Sequence, residues 1–145
     1  MIEEIYKTIR SKPGAITFPA APETELSKVQ NFLAARNFSI LPEDYLKFLR
    51  LTDGLSYNGI ELYGSQPYVR EEKSYIFPDL ISINQAFSDY NFFARKVILG
   101  RTSENLIYFD QSPLCFALAD RINLRSRIEA PSLAELLQRI ASLYL

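Results

Sequence analysis

Apolar residues recur along this chain at two periods, and the change from one to the other near Lys96 divides it. From Met1 to Lys12, Ile2, Ile5, Tyr6 and Ile9 fall at helical spacing until Pro13-Gly14, which predicts a short amphipathic helix. Ala15 to Pro22 reads as a proline- and alanine-rich connector. Glu23 to Ala35 then sets Leu26, Val29, Phe32 and Leu33 on one face behind an acidic first turn, a second helix. The stretch Leu41 to Gly64 carries the densest set of signals. Pro42 suits a first helical turn, Glu43 and Asp44 complement the helix dipole, and Leu41, Tyr45, Phe48, Leu49 and Thr52 form a stripe from which Lys47 and Arg50 fall away. Gly54, behind Asp53, is placed to end that helix. Asn58-Gly59 predicts a tight turn at positive φ, after which Ile60 and Leu62 alternate with Glu61 and Tyr63 as a short half-exposed strand running to Gly64.

Ser65 to Ser74 carries proline, charges and two exposed-looking anchors, Tyr68 and Val69, and reads as a surface loop; Tyr75 to Phe77 and Leu80-Ile81 read as extended pieces around Pro78. The Ser82/Gln85 spacing of a capping box opens a helix with Ile83, Ala86, Phe87 and Tyr90, to about Asn91. Beyond Lys96, the runs 97–101, 106–110, 114–119 and 122–129 are short, β-rich and separated by polar clusters, the pattern of an antiparallel meander. In the last run Ile122, Leu124 and Ile128 alternate with Asn123, Arg125, Arg127 and Glu129, which predicts one wet face. Ser132 and Glu135 form a second capping box, and Leu133, Leu136, Leu137, Ile140 and Tyr144 give the stripe of a closing helix. The fold class is α+β, in one domain.

Composition narrows the chemistry. A chain of 145 residues with 48% hydrophobic content can bury one core without staples. Its single cysteine, Cys115, forbids an internal disulfide and, lying in an apolar run, reads as a buried inert thiol. With no signal peptide or long apolar run in view, the expected location is the cytoplasm, away from membranes. The absence of histidine removes Ser-His and Cys-His nucleophile pairs, imidazole metal ligands and the usual neutral-pH proton shuttle. A net charge of −1 argues against a nucleic-acid footprint. Residues 42–95 alone are clearly acidic, with eight acidic against five basic side chains.

Candidate chemistry is thin. Glu3-Glu4, Glu43-Asp44 and Glu71-Glu72 are adjacent acidic pairs, but the first two fit helix first turns and the third a charged loop between Arg70 and Lys73. Asp53, Asp110 and Asp120 flank turns, where aspartate commonly bonds its own backbone, and no spacing matches a cation loop. Arg125 and Arg127 read as surface charge more readily than as an anion site. No metal, cofactor or catalytic residue is expected. Tyr57, Tyr63, Tyr68 and Tyr75, by contrast, cluster around the glycine-rich turn, and loop tyrosines supply large, rigid contact area. The residues alone therefore point to a binder more than to an enzyme.

The central stretch, LP-x-DY-x-x-FL-x-x-x-DG followed by NG-x-x-LYG, resembles the SUKH superfamily, which includes fungal cell-wall-assembly (glucan synthesis) regulators and many bacterial immunity proteins. The helix at Glu23–Ala35, LISINQAF at 80–87, VILGRTSENLIYFD at 97–110 and the closing SLAELL helix follow the family's order, so residues 22–145 are its core-like part and 1–21 an added helix and connector. The chain departs from relatives in lacking tryptophan. The resemblance implies a non-enzymatic domain, a twisted, mostly antiparallel sheet with helices packed on it, that binds protein. It makes an immunity protein neutralising a toxin effector the first expectation. A regulatory scaffold of cell-wall synthesis is the second, and a small-ligand binder or enzyme the third. On this reading Leu41, Pro42, Tyr45, Asp53, Gly54, Asn58, Gly59 and Gly64 are structural. The partner surface is expected at Tyr57, Glu61, Tyr63, Tyr68, Glu71 and Glu72, with Arg101 and Asn105 beside them, on a monomer or weak homodimer.

Overall fold

A computed structural model describes residues 2–36, 38–70, 75–112 and 114–144. In chain order the elements are α1 (Ile2–Arg10), β1 (Ile16–Thr17), α2 (Glu23–Ala35), α3 (Glu43–Leu49), β2 (Leu55–Tyr57), β3 (Ile60–Leu62), β4 (Tyr68–Arg70) and β5 (Tyr75–Phe77). There follow α4 (Leu80–Ala86), a 3-10 turn at Asn91–Phe93, β6 (Lys96–Arg101), β7 (Asn105–Gln111), β8 (Leu114–Asp120), β9 (Ser126–Ala130) and α5 (Leu133–Tyr144). Among the described residues, seven strands form one antiparallel sheet in the order β1-β2-β3-β6-β7-β8-β9, while β4 and β5 pair only with each other. No described helix is long and apolar enough to cross a membrane.

The central strands read as near-continuous apolar runs because both faces are covered. Ile107↔Leu118↔Ile128 and Phe109↔Phe116 belong to the main core with Leu133, Leu136, Leu137 and Ile140 of α5. The alternate positions, Tyr108↔Ala117 and Ala119, form a smaller cluster against Phe92. Every apolar member of the predicted α3 stripe is buried, as are Leu26, Val29 and Leu33 of α2.

Two side-chain amides each take both backbone groups of a residue outside their own helix, and one of them stands in for missing strand. β3 pairs with β6 only at Arg101 and Gly100. Two residues further along, where β3 has ended, Asn84 of α4 donates to the Ile98 carbonyl at 3.0 Å and accepts from the Ile98 N–H at 2.8 Å. Gln30 of α2 does the same for Leu41, at 3.1 Å and 2.7 Å. Each helix is thereby fastened by backbone groups that would otherwise lack partners.

Several boundaries differ from the sequence reading. The connector 15–22 contains β1, which pairs with β2 through Ile16↔Ser56 and Thr17↔Leu55; two residues are too few for a period to show. The helix α3 stops at Leu49, so Gly54 does not cap it; at φ +110 it turns the chain into β2 instead. The surface loop of 65–74 begins a hairpin, β4–β5. Leu80-Ile81 is helical, because Asp79 takes the N-cap position and its side chain accepts from the Ser82 N–H, three residues ahead of the cap expected at Ser82. In α5, Ser132 does accept from the Glu135 N–H, but Glu135 pairs with Arg139, and Asp44 of α3 accepts from the Leu133 N–H at 2.8 Å. The last strand begins only at Ser126, leaving Ile122 in a turn. The Asn58-Gly59 turn, at φ 50 and 86, is as expected.

Replacing Asn84 with Ala would leave the buried Ile98 N–H and C=O without partners. The expected outcome is a loss of about 2–4 kcal/mol in unfolding free energy, read by urea denaturation. Leucine at the same position should do no better, since shape without the amide restores neither bond.

Candidate functional site

The sequence around Asp53 builds a junction of four segments. Its backbone N–H donates to the Pro19 carbonyl at 2.9 Å, just past β1. Its carboxylate, fully buried, accepts from the Ser65 N–H at 2.6 Å, the Ser65 hydroxyl at 2.7 Å and the Tyr68 hydroxyl at 2.9 Å. Thr52 extends the junction, accepting from the Phe18 N–H at 2.8 Å and donating to the Gly54 carbonyl at 2.6 Å. Gly64 has to be glycine for lack of room, since a Cβ there would run into the Asp53 carbonyl and carboxylate. Nearby, the Tyr45 hydroxyl donates to the Tyr63 carbonyl at 2.6 Å and the Leu99 carbonyl at 3.1 Å, tying α3 to the residue after β3 and to β6. Burial pushes the Tyr45 phenol well above its ordinary range.

This junction positions the β4–β5 hairpin. The pairing Tyr68↔Phe77 and Val69↔Ile76 sends alternate side chains to opposite faces. On the inner face Phe18 stacks on Tyr68, ring centroids 4.4 Å apart, and lies 5.3 Å from Phe77, which is buried. Burial, followed by the bond to Asp53 and its negative charge, pushes the Tyr68 phenol up to about 12. On the outer face Val69 and Ile76 lie directly opposite each other at 67% and 63% exposure. The fold thus presents a two-residue aliphatic ridge on a hairpin held from behind by a buried acid.

The expected partner-binding residues do not form one surface. Tyr63 is 2% exposed and Asn105 1%, so neither can meet a partner in this fold. Tyr63 lies one residue past β3, where its N–H donates to Leu99 and its ring packs edge-on against Phe77; strand alternation no longer applies to it. Asn105 turns inward at the start of β7, donating to the Thr102 hydroxyl while its side-chain oxygen has no partner among the described residues. Tyr68 is half-buried with its hydroxyl turned to Asp53, making it an anchor of the hairpin more than a contact. Glu61 and Arg101 are brought together, a cross-strand pair bonded at 2.9 Å. Tyr57, one register position from Glu61 and so on the other face of the β2–β3 hairpin, lines a cleft of about 530 Å³ with Ile5, Ile9, Ile60 and Leu137, between α1, α5 and that hairpin. Glu71 and Glu72 lie outside the described residues.

Reading by sequence named Val69 as an exposed anchor but missed Ile76, whose run Tyr75-Ile76-Phe77 looks uniformly apolar; only the register reveals its outward face. Cys115 is partly exposed, and burial, then Glu129 and Asp110, push its thiol up, away from nucleophilic use. Asp110 and Asp120 bond nearby backbone amides, as aspartates at turns do. Among the described residues no three acidic or cysteine side chains converge as metal ligands. Compared with protein-family models and with curated proteins, the chain matches none.

Tyr68→Phe keeps the ring on Phe18 and removes the donor to Asp53, so unfolding free energy should fall by about 1–3 kcal/mol. The pH dependence has a definite sign. A phenol raised from 10.0 to about 12 by folding stabilises the fold fully below pH 10 and loses that contribution as pH climbs toward 12. Urea titrations from pH 9 to 12 should show a shallower decline for Tyr68→Phe than for the wild type.

Proposed function

We propose that this chain is a non-enzymatic protein-binding domain of SUKH type, acting in the cytoplasm as an immunity protein that neutralises a toxin effector by direct contact. The observation that carries the reading is the outward pair Val69 and Ile76 on a hairpin whose inner face is locked by Tyr68, Asp53 and Phe18. A rigid, exposed aliphatic ridge is the kind of element that becomes an interface centre, because little conformational freedom is lost when it is covered. The segment joining β4 to β5 reads Glu71-Glu72-Lys73-Ser74, within the acidic third of the chain, and suits a basic partner such as a nuclease toxin.

The motif behind the resemblance is consistent with this division of labour. Leu41, Tyr45, Asp53 and Gly64 are all taken up by packing or buried hydrogen bonds. Several described carboxylates are likewise engaged structurally: Asp44 with the Leu133 amide, Glu43 with Arg50, Glu61 with Arg101 and Asp120 with Arg127.

The cleft at Tyr57 favours a second reading, a small apolar ligand, since its volume of about 530 Å³ falls within the range such sites occupy. The two readings separate in one experiment with the product of the gene adjacent to this one. Val69→Asp combined with Ile76→Asp should weaken binding at least ten-fold and abolish protection of growth on co-expression, with the melting temperature lowered only slightly by the two carboxylates set opposite each other. Tyr57→Ala should leave both intact. Binding untouched by the hairpin variant would overturn the placement, and no binding by the wild type would overturn the immunity reading.

A further inference from the structure

A second surface lies at the other edge of the sheet, in the turn from Arg121 to Arg125 between β8 and β9. Ile122, at its tip, is 87% exposed, more than any other large hydrophobic described. A single exposed aliphatic residue is ordinary on a protein surface. What sets this one apart is its mounting.

Each of the six amides from Asp120 to Arg125 donates to a protein acceptor. Ile122 and Asn123 donate to the Asp120 side chain at 2.8 Å and 3.1 Å, and Leu124 donates to the Asp120 carbonyl at 2.8 Å. Arg125 donates to the Asn123 side chain at 2.8 Å, Asp120 to the Arg125 carbonyl at 3.0 Å, and Arg121 to the Glu104 carbonyl of the neighbouring β6–β7 turn at 3.1 Å. Leu124 holds φ +61, a left-handed backbone that a branched residue rarely adopts, while its side chain packs against the core. The second oxygen of Asp120 is occupied by Arg127 at 2.9 Å. Arg121 and Arg125 themselves are exposed and pair with no carboxylate among the described residues. The nearest acidic residue on the backing turn, Glu104, offers its backbone carbonyl to Arg121 and makes no ion pair with it.

We infer that this turn is a preformed docking knob, an aliphatic anchor flanked by two free guanidiniums, for a protein partner presenting an apolar pocket rimmed by carboxylates. A turn that satisfies all its own amides loses little freedom when it is covered, and guanidiniums without internal partners are available for bidentate contact with carboxylates. One aliphatic side chain and two cations make too small a footprint for stable membrane attachment, which takes a lipid chain plus a larger basic cluster. This surface is independent of the β4–β5 ridge and opposite in charge preference. β2, beside the hairpin, and β8 are separated by four strand spacings, about 19 Å, so both surfaces can be covered at once.

The test places the photo-crosslinking residue p-benzoylphenylalanine at position 122 of the full chain, expressed in its own host cells, with the same residue at exposed Glu129 as control. The product crosslinked only from 122 is then purified and titrated against the wild type, Ile122→Asn, and Arg121→Glu combined with Arg125→Glu. The expected result is an acidic protein whose affinity falls at least ten-fold for either variant, falls with added salt, and is unchanged by Val69→Asp with Ile76→Asp. Melting temperatures should match the wild type, because all three altered side chains are exposed. The inference is overturned if 122 gives no product beyond that at 129, or if the charge reversal leaves affinity intact. It is equally overturned if the chain co-sediments with phosphatidylserine-containing vesicles through Ile122.

Discussion

A carboxylate from which water is excluded is tolerated only while donors meet the lone pairs it turns inward, and Asp53 is such a group. Its described donors are all neutral: one amide and two hydroxyls. Because those donors come from Ser65 and Tyr68, and its own amide is tied to Pro19, the constraint extends well beyond one residue. It fixes where the chain leaves β1, how α3 hands over to β2, the absence of a side chain at Gly64 and the seating of β4. Removing any one donor leaves the buried carboxylate short of a partner, so the loss includes its desolvation as well as the bond.

Much of this fold was legible because packing follows period. The α3 stripe, the turn at Asn58-Gly59, the meander and the face of α5 are visible as spacing, and all are present. What spacing could not show falls into two kinds. Side chains just outside an element escape its parity: Tyr63 follows β3 by one residue, and Ile122 precedes β9 by four, so one expected on the surface is buried and one expected in a strand is bare. Polar residues that replace backbone are also invisible, since nothing in a helical sequence announces that Asn84 will complete the hydrogen bonding of a strand residue or that Gln30 will take both backbone groups of Leu41, just ahead of α3. The hairpin lay between these cases. Its proline and charges say loop, and three-residue strands give alternation too little length to register.

The candidate site was legible in part for the same reason. Aromatic clustering drew attention to the segment that folds as β3 and the β4–β5 hairpin, but clustering does not distinguish a tyrosine that meets solvent from one that stacks on Phe18 and bonds an acid. The Glu61–Arg101 pair was foreseeable only as proximity, through the expected neighbouring of β3 and the meander. Within the stretch from Leu41 to Gly64, Leu41, Tyr45, Asp53 and Gly64 are taken up by packing and buried hydrogen bonds, whereas Asn58 and Gly59 form an exposed turn.

The far edge of the sheet shows that exposed strand can be kept from pairing without being buried. β9 places Arg127 and Glu129 in solvent, carries a register shift opposite Leu118/Ala119, and has its Glu129 carbonyl taken by Arg139 of α5 at 2.8 Å. Such an edge offers a poor template to another chain. The β4–β5 hairpin is insulated differently. Among the described residues no ladder joins it to the main sheet, and its two ends are clipped together where Gly64 bridges Asp79 and accepts from the Leu80 N–H at 2.9 Å. A segment closed at its base this way behaves as a cassette. Doubling its length would add only about 0.6 kcal/mol of closure entropy, so its outward residues can be exchanged or extended while the junction beneath stays the same. The two outward positions are thus free to vary in size and polarity while the buried acid keeps the same donors.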